Sequence, residues 1–392
     1  MPRISTSTLY AASRRTACWL AATCGLLLLG ADRLERITFT DIQQDQRRTL
    51  QVAGRVLTEA QDGGILLQGR DGRLWPIPPE QLAKREPTER EFQPAPPEEL
   101  GQQLRNEFGP EFDVYVTPHY VLCANTGDSY AEWCGGLFER LYTAFHMHWK
   151  QRGVELAEPE FPLVAILFRD ERQFATFAAR DAGPGLASPK GYFSIPTNRI
   201  VLYDLTASEG AAGTAAEIER RLEAVPFNVA TVIHEATHQI AFNSGLHTRF
   251  ADNPLWFTEG MAMYFETPDF RTGTNWRSAG ALNRMRLRQF RDYVSRRRKP
   301  DSLMTLLQSD TRFTDAETAA DAYAESWALT YYLIKTRGKD YVTYLQRLAA
   351  KSRLVWNTPD ERLDEFRDVF GQDLSALDAE FLRYMQRFNR IR

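Results

Sequence analysis

Cysteine and histidine are scarce in this chain, with four and six in 392 residues. Cys18 and Cys24 lie in the first thirty residues, which leaves Cys123 and Cys134, neither with a cysteine partner at CxxC spacing. That excludes a cysteine-built metal site and a disulfide-dense scaffold. Neither sign of charge dominates: 48 Lys and Arg face 51 Asp and Glu, a formal net charge of −3. A dedicated nucleic-acid binder would carry a basic excess, so none is expected as a partner. No stretch repeats with the period of a solenoid or propeller. Past the N-terminus, no apolar run approaches the ~20 residues of a spanning helix. What is present, 43% hydrophobic and 25% charged residues, belongs to a globular chain long enough for two or three folding units.

Residues 1–15 carry Arg3, Arg14 and Arg15 and no acid, and an apolar run fills 17–30 before Ala31. This pattern reads as a secretory signal over 1–31, with an uncleaved N-terminal anchor as the alternative. The mature chain is therefore expected in the periplasm, the cell envelope or outside the cell. In such an oxidising place Cys123 and Cys134 could pair; two separate buried thiols is the equal alternative.

Residues 32–83 read as a small all-β module, SH3-like, with tight turns at Asp62-Gly63 and Asp71-Gly72. Residues 84–105, rich in proline and charge, read as a linker. From 106 strand and helix patterns alternate. "FPLVAILF" (161–168) suits a buried strand, while "GYFS" (191–194) and "NRIVLYD" (198–204) look like a hairpin or edge strand. After about 213 the pattern is almost wholly helical, and 276–392 should form a helical subdomain. The expected fold class is α+β. His119, His146 and His148 read as surface histidines, the basic stretch 286–299 as a solvated helix face, and the C-terminus as two short helices around Gly371.

The chemistry gathers in "PFNVATVIHEATHQIAFNSGL" (226–246). His234 and His238 are one helical turn apart, so both imidazoles leave the same face and can hold one zinc ion. Glu235, beside them, stands where a general base for a metal-activated water is needed. Val229, Val232, Ile233, Ala236 and Ile240 give the helix an apolar face; Asn228 serves as N-cap and Gly245 as the stop. A catalytic zinc needs a third protein ligand and an open position. "NPLWFTEGMAMYFE" (253–266) offers Glu259, a carboxylate costly to bury without a cation. Glu266, seven residues on, is a competing ligand ranked behind it.

HExxH followed by "LWFTEGMA" resembles the gluzincin metallopeptidases, with their thermolysin-like and aminopeptidase N-like members, and is similar to an uncharacterised family of exported bacterial HExxH proteins. The resemblance implies a zincin-like catalytic subdomain over 106–275, zinc on His234, His238 and Glu259, and Glu235 as base and proton shuttle. Thr258 stands where aminopeptidase N-like segments usually have Asn, and no equivalent of the exopeptidase motif is present, which leaves endopeptidase action open. The family's tyrosine on a later helix maps to Tyr323 of "AYAESWALTYYLIK", with Tyr331 and Tyr332 as alternatives; a phenol there would stabilise an oxyanion. In these folds an edge strand above the active helix takes up extended peptide, and "NRIVLYD" is its candidate. The function implied is an exported zinc-dependent peptidase acting on peptide or protein. A zinc-dependent hydrolase of a non-peptide bond would use the same residues. A non-catalytic, metal-containing envelope binding protein is the third reading, disfavoured because structural zinc sites usually close with four protein ligands.

Overall fold

The computed structural model describes residues 33–43, 46–182, 190–206, 214, 217–218, 220–221, 226–267 and 279–390. The signal expected over 1–31 lies outside the described residues. Among these no helix is long and apolar enough to cross a membrane. The architecture is mixed α+β, with an all-β N-terminal region.

Five strands build that region: β1 (Arg33–Gln43), β2 (Gln46–Glu59), β3 (Ile65–Gly69), β4 (Leu74–Ile77) and β5 (Leu82–Glu91), in the order β4-β3-β2-β1-β5. Gly63 and Gly72, at φ +89° and +80°, turn the expected hairpins. A 3-10 turn over Pro79–Gln81 then sends β5 back onto β1, with Ile37 opposite Arg85. Ile37, Phe39, Ile65, Leu67 and Ile77 fill the module's own core.

The expected linker over 84–105 is therefore corrected: it is most of β5 and the start of helix α1 (Pro97–Phe108). Its charge and proline are those of an edge strand, which pairs on one side only and discourages further pairing on the other. Arg85, for one, bridges Glu35 and Glu59 at 2.9 Å each. Pro97 occupies the first position of α1, where its missing N–H costs nothing.

The second sheet runs β6-β7-β8-β10-β9, from β6 (Asp113–Val116), β7 (Tyr120–Ala124), β8 (Leu163–Phe168), β9 (Gly191–Ser194) and β10 (Arg199–Tyr203). β7, β8 and β10 are parallel, and β9 folds back antiparallel on β10. Two further helices, α2 (Asp128–Lys150) and α3 (Glu171–Asp181), serve the crossovers that parallel pairing requires. Side chains alternate across the sheet. Val121, Cys123, Val164 and Ile166 pack with α1 and α3; Tyr120, Leu122, Leu163 and Ala165 pack with α2 and with α4 (Pro226–Asn243). Cys123 and Cys134 belong to different cores and are separate buried thiols. Burial pushes the Cys123 thiol up to about 12.

The hairpin over 191–204 is as expected, but the edge strand is β9. "NRIVLYD" forms β10, which is interior because the crossover from β8 lays it parallel beside β8. His148 is also corrected: it is buried, edge-on to Tyr264 and Phe265. The helix over Leu255–Phe265 covers that side of α2, a layer that the local sequence of α2 does not show. His119 pairs with Glu139 and stacks on Tyr142, with His146 behind the same ring.

The helical half comprises α5 (Leu255–Phe265), α6 (Arg284–Arg296), α7 (Ser302–Gln308), α8 (Thr311–Thr314), α9 (Ala319–Thr336), α10 (Gly338–Ala349), α11 (Pro359–Phe370) and α12 (Leu374–Gln386). α9 is buried on nearly all sides and lies against α5. A Cβ on Gly260 of α5 would meet Thr330 Oγ1 at 2.1 Å, so glycine is what lets the two backbones approach. Gly371, at φ +109°, separates α11 from α12 as expected. The basic stretch is not a solvated face throughout: Arg286 is buried on Glu266, and Arg298, half-buried, turns its side chain inward onto Glu325 and Asp378. Those acids come from distant segments, so the local sequence shows the charges without their partners.

Both halves and the β module are joined through polar contacts. Leu74 N–H donates to Pro196 O at 2.7 Å. Arg249, buried, reaches Gly72 O at 2.8 Å and Ile195 O at 3.2 Å.

Candidate metal centre

Helix α4 carries the first two candidate ligands. Val229, Val232, Ile233, Ala236 and Ile240 are all buried in the main core, as their spacing predicts. The helix begins at Pro226, so Asn228 lies within it and is not its N-cap; its Oδ1 accepts from Lys190 Nζ instead. Gly245, at φ +82°, follows the helix end as expected. Gln239 fixes the helix to the sheet: its Nε2 donates to Val164 O at 2.9 Å and to Asn198 O at 2.8 Å. Asn243 and Asn198 exchange a reciprocal pair of hydrogen bonds at 2.8 Å.

Helix α5 carries the third. Its first N–H, on Leu255, donates to Asp310 Oδ1 at 2.9 Å, and Arg362 of α11 holds Asp310 together with Asp252. The C-terminal helices therefore set where Glu259 stands.

His234 Nε2 lies 3.0 Å from Glu259 Oε2 and 3.1 Å from His238 Nε2, and His238 Nε2 lies 3.7 Å from Glu259 Oε2. Ligand atoms held at the usual zinc distances around a tetrahedron are about 3.3 Å apart. All three residues are buried, and their ligand atoms converge as a metal ion requires. The donor set fits for a second reason. His234 Nδ1 is 2.8 Å from Glu266 Oε1, and since a carboxylate only accepts, that nitrogen carries the proton. In the neutral ring, Nε2 then presents a lone pair to another carboxylate and another imidazole. Such a cluster of acceptors needs a positive group at its centre, either a proton or a cation.

The electrostatics say the same. Burial opposes charge on His234, yet its hydrogen bonds to Glu259 and Glu266 outweigh that and raise the imidazole to about 10. Burial acts against the Glu259 carboxylate too, and His238 and His234 more than offset it, holding it well below the usual range. Burial lowers His238, which favours the neutral ring that a metal needs.

Glu235 is fully buried. Its Oε2 accepts from Phe193 N–H at 2.9 Å, and its Oε1 has no hydrogen-bond partner among the described residues. Burial, opposed by His234, pushes its carboxyl up to about 8. Phe193 belongs to β9, so the edge strand orients the candidate base directly.

Glu266 plays a different part from the competing ligand that the sequence suggested. It orients His234, and Arg286 grips it with two hydrogen bonds of 2.8 and 2.9 Å. Its place was legible from its position two turns after Glu259; Arg286, twenty residues on, carried no such signal. Gln239, Asp310 and Arg362 were also missed, because each acts across a long sequence separation. Tyr323 lies on α9, its ring edge-on to Phe313, and it bears on the charge of Arg286. Of the alternatives, Tyr332 donates to Glu380 of α12, and Tyr331 packs against Trp327 and Phe388.

Residues 228–355 match a family model described as a protein of unknown function (DUF1570). The matched stretch runs from within α4 past the end of α10 and includes His234, Glu235, His238, Glu259, Glu266, Arg286 and Tyr323. No curated protein matches the chain.

Proposed function

We propose that this protein is an exported zinc-dependent peptidase of the gluzincin type, with a zincin-like catalytic subdomain and an SH3-like module before it. The observation that carries the reading is the joint geometry of the triad and Glu235. Three buried ligand atoms converge at 3.0–3.7 Å, and beside them a buried carboxylate has one oxygen with no partner among the described residues.

His234, His238 and Glu259 would hold the ion, which when bound supplies a Lewis acid that acidifies water and polarises a carbonyl. The proton work falls to Glu235. Phe193 N–H fixes Oε2, so Oε1 is the oxygen left to accept a proton and return it to the leaving amine. Burial raises the proton affinity of that carboxyl, which suits a group that must both take and give. Glu266, clasped by Arg286, keeps His234 in the tautomer that presents Nε2. Tyr323 is the candidate phenol donor to the charge that develops on the carbonyl oxygen. The basic and apolar N-terminus supports the export reading, and the 3-10 turn that sends β5 onto β1 supports the SH3-like one.

The test pairs Glu235→Gln with His238→Ala, read by metal analysis and by cleavage of a complex peptide library. Glu235→Gln should keep its zinc and lose turnover by orders of magnitude. His238→Ala should lose both. Undiminished cleavage by Glu235→Gln, or equal zinc in His238→Ala and the parent, would remove the basis of the reading. A zinc-loaded protein that spares every peptide and turns over a small ester or amide would move it to the non-peptide alternative.

A further inference from the structure

A cleft of about 940 Å³ lies on the other side of the sheet from the triad, between the β module and helix α3. Its floor is aromatic: Phe108 lies 5.1 Å from Phe112 and 5.4 Å from Phe177, ring centre to ring centre. Trp75 of the module forms a wall, with the Arg73 guanidinium 4.7 Å above its ring. Along α3, Arg172, Thr176 and Arg180 follow one another at four-residue spacing and line the opposite wall. Residues so spaced share one helix face.

The formal charges that line the cleft balance, but most of its acids are engaged away from helix α3. Arg48, Arg73, Arg172 and Arg180 line it, together with Asp41, Glu107, Glu111 and Asp181. Glu107 is committed to the buried Arg199 through two hydrogen bonds of 2.8 and 2.9 Å, and Asp181 accepts from Tyr192 Oη at 2.8 Å. Asp41 feels both Arg73 and Arg48. Arg172 and Arg180 are exposed, and their guanidinium groups make no hydrogen bond or ion pair among the described residues. The cleft is also preformed, since the junction above it is fixed by Leu74 on Pro196 and by Arg249 on Gly72. Ligand sites favour such junctions.

We propose that this cleft docks an extended acidic segment of a partner polypeptide, with two carboxylates on Arg172 and Arg180 and an apolar side chain between them on Phe108 and Phe177. The spacing sets the pattern. Two residues eight apart on a helix are about 12 Å apart along its axis. In an extended chain, residues four apart span about 13 Å and point to the same side, and so does the residue midway between them. The preferred sequence is therefore acidic-x-apolar-x-acidic, and guanidinium forks suit carboxylates.

The experiment titrates the full-length protein into a fluorescein-labelled peptide, Ser-Glu-Ala-Phe-Ala-Glu-Ser, by fluorescence anisotropy at low and at physiological salt. Saturable binding is expected. It should weaken about tenfold or more in Arg172→Glu/Arg180→Glu, in the peptide with Gln for both Glu, and on adding salt. His238→Ala should bind the peptide as the parent does. Both arginines are exposed, so the double variant should keep its circular dichroism spectrum. No binding, equal binding by the double variant or by the Gln peptide, or tighter binding of polygalacturonate than of the peptide would overturn the proposal. Zinc content and turnover of the double variant are read alongside. They stand on residues across the sheet, so a failed docking site leaves the peptidase reading intact.

Discussion

Glu266 faces the Nδ1 edge of His234 at 2.8 Å while Arg286 holds both of its oxygens from the other side. The carboxylate thus serves two masters: it sets the tautomer of one imidazole and neutralises one buried guanidinium.

Those two duties separate by mutation. Glu266→Gln should weaken metal binding about 10–100-fold, the usual cost of losing such a partner. It also strands Arg286, at about 3–5 kcal/mol for one half of a buried pair. The double variant Glu266→Gln/Arg286→Met should recover much of the stability and none of the affinity. Chelator competition and urea unfolding read the two quantities apart. A double variant that regains full affinity would show that Glu266 does not act on His234.

Gly260 makes the close approach of α5 and α9 possible and sits next to Glu259. Alanine there would bring Cβ within 2.1 Å of Thr330 Oγ1 and 2.8 Å of Ser326 O. The helices must part, at about 1–3 kcal/mol for overpacking, and Glu259 moves with its helix. Gly260→Ala should therefore lose both thermal stability and metal affinity, and adding Thr330→Ala should restore part of each. Unchanged affinity in a destabilised Gly260→Ala would mean that the carboxylate position is not set by this contact.

His148 predicts a pH dependence. Burial is the first cause that lowers its imidazole from 6.5 to about 3. Below pH 6.5 the unfolded chain therefore binds a proton that the folded chain refuses, so this residue makes stability fall as pH falls from about 6.5 to 3. Between pH 7 and 5 its share is about 2 kcal/mol at 1.36 kcal/mol per unit. Its Nε2 has no partner among the described residues and its ring packs on aromatic ones, so His148→Phe loses no polar contact seen at that nitrogen. Urea unfolding at both pH values should show a smaller acid loss in His148→Phe than in the parent. Parallel losses would show that His148 titrates normally in the fold.

How much of this was legible beforehand depended on distance along the chain. His234, Glu235 and His238 declared themselves because helical spacing alone puts them together. Glu259 came within reach because burying a carboxylate in "LWFTEGMA" demands a cation. The β module showed through its Asp-Gly turns. What stayed hidden was every relation that closes a long loop: Arg286 on Glu266, Arg362 on Asp310, and β5 on β1. The same charged residues read as linker or solvated surface when their partners are out of view. Sheet order was hidden likewise, since nothing within "NRIVLYD" says that the strand preceding it will flank it on the outside.

Arg249 gives the molecule a practical indivisibility. Its guanidinium crosses from the segment after α4 to the carbonyl of Gly72, and burial already depresses it to about 9. A shortened chain starting beyond residue 92 would take from that cation both the Gly72 carbonyl and the module that covers it. Attempts to express the rest of the chain alone should accordingly give insoluble material, and the front module is better regarded as part of the fold's masonry than as a detachable accessory.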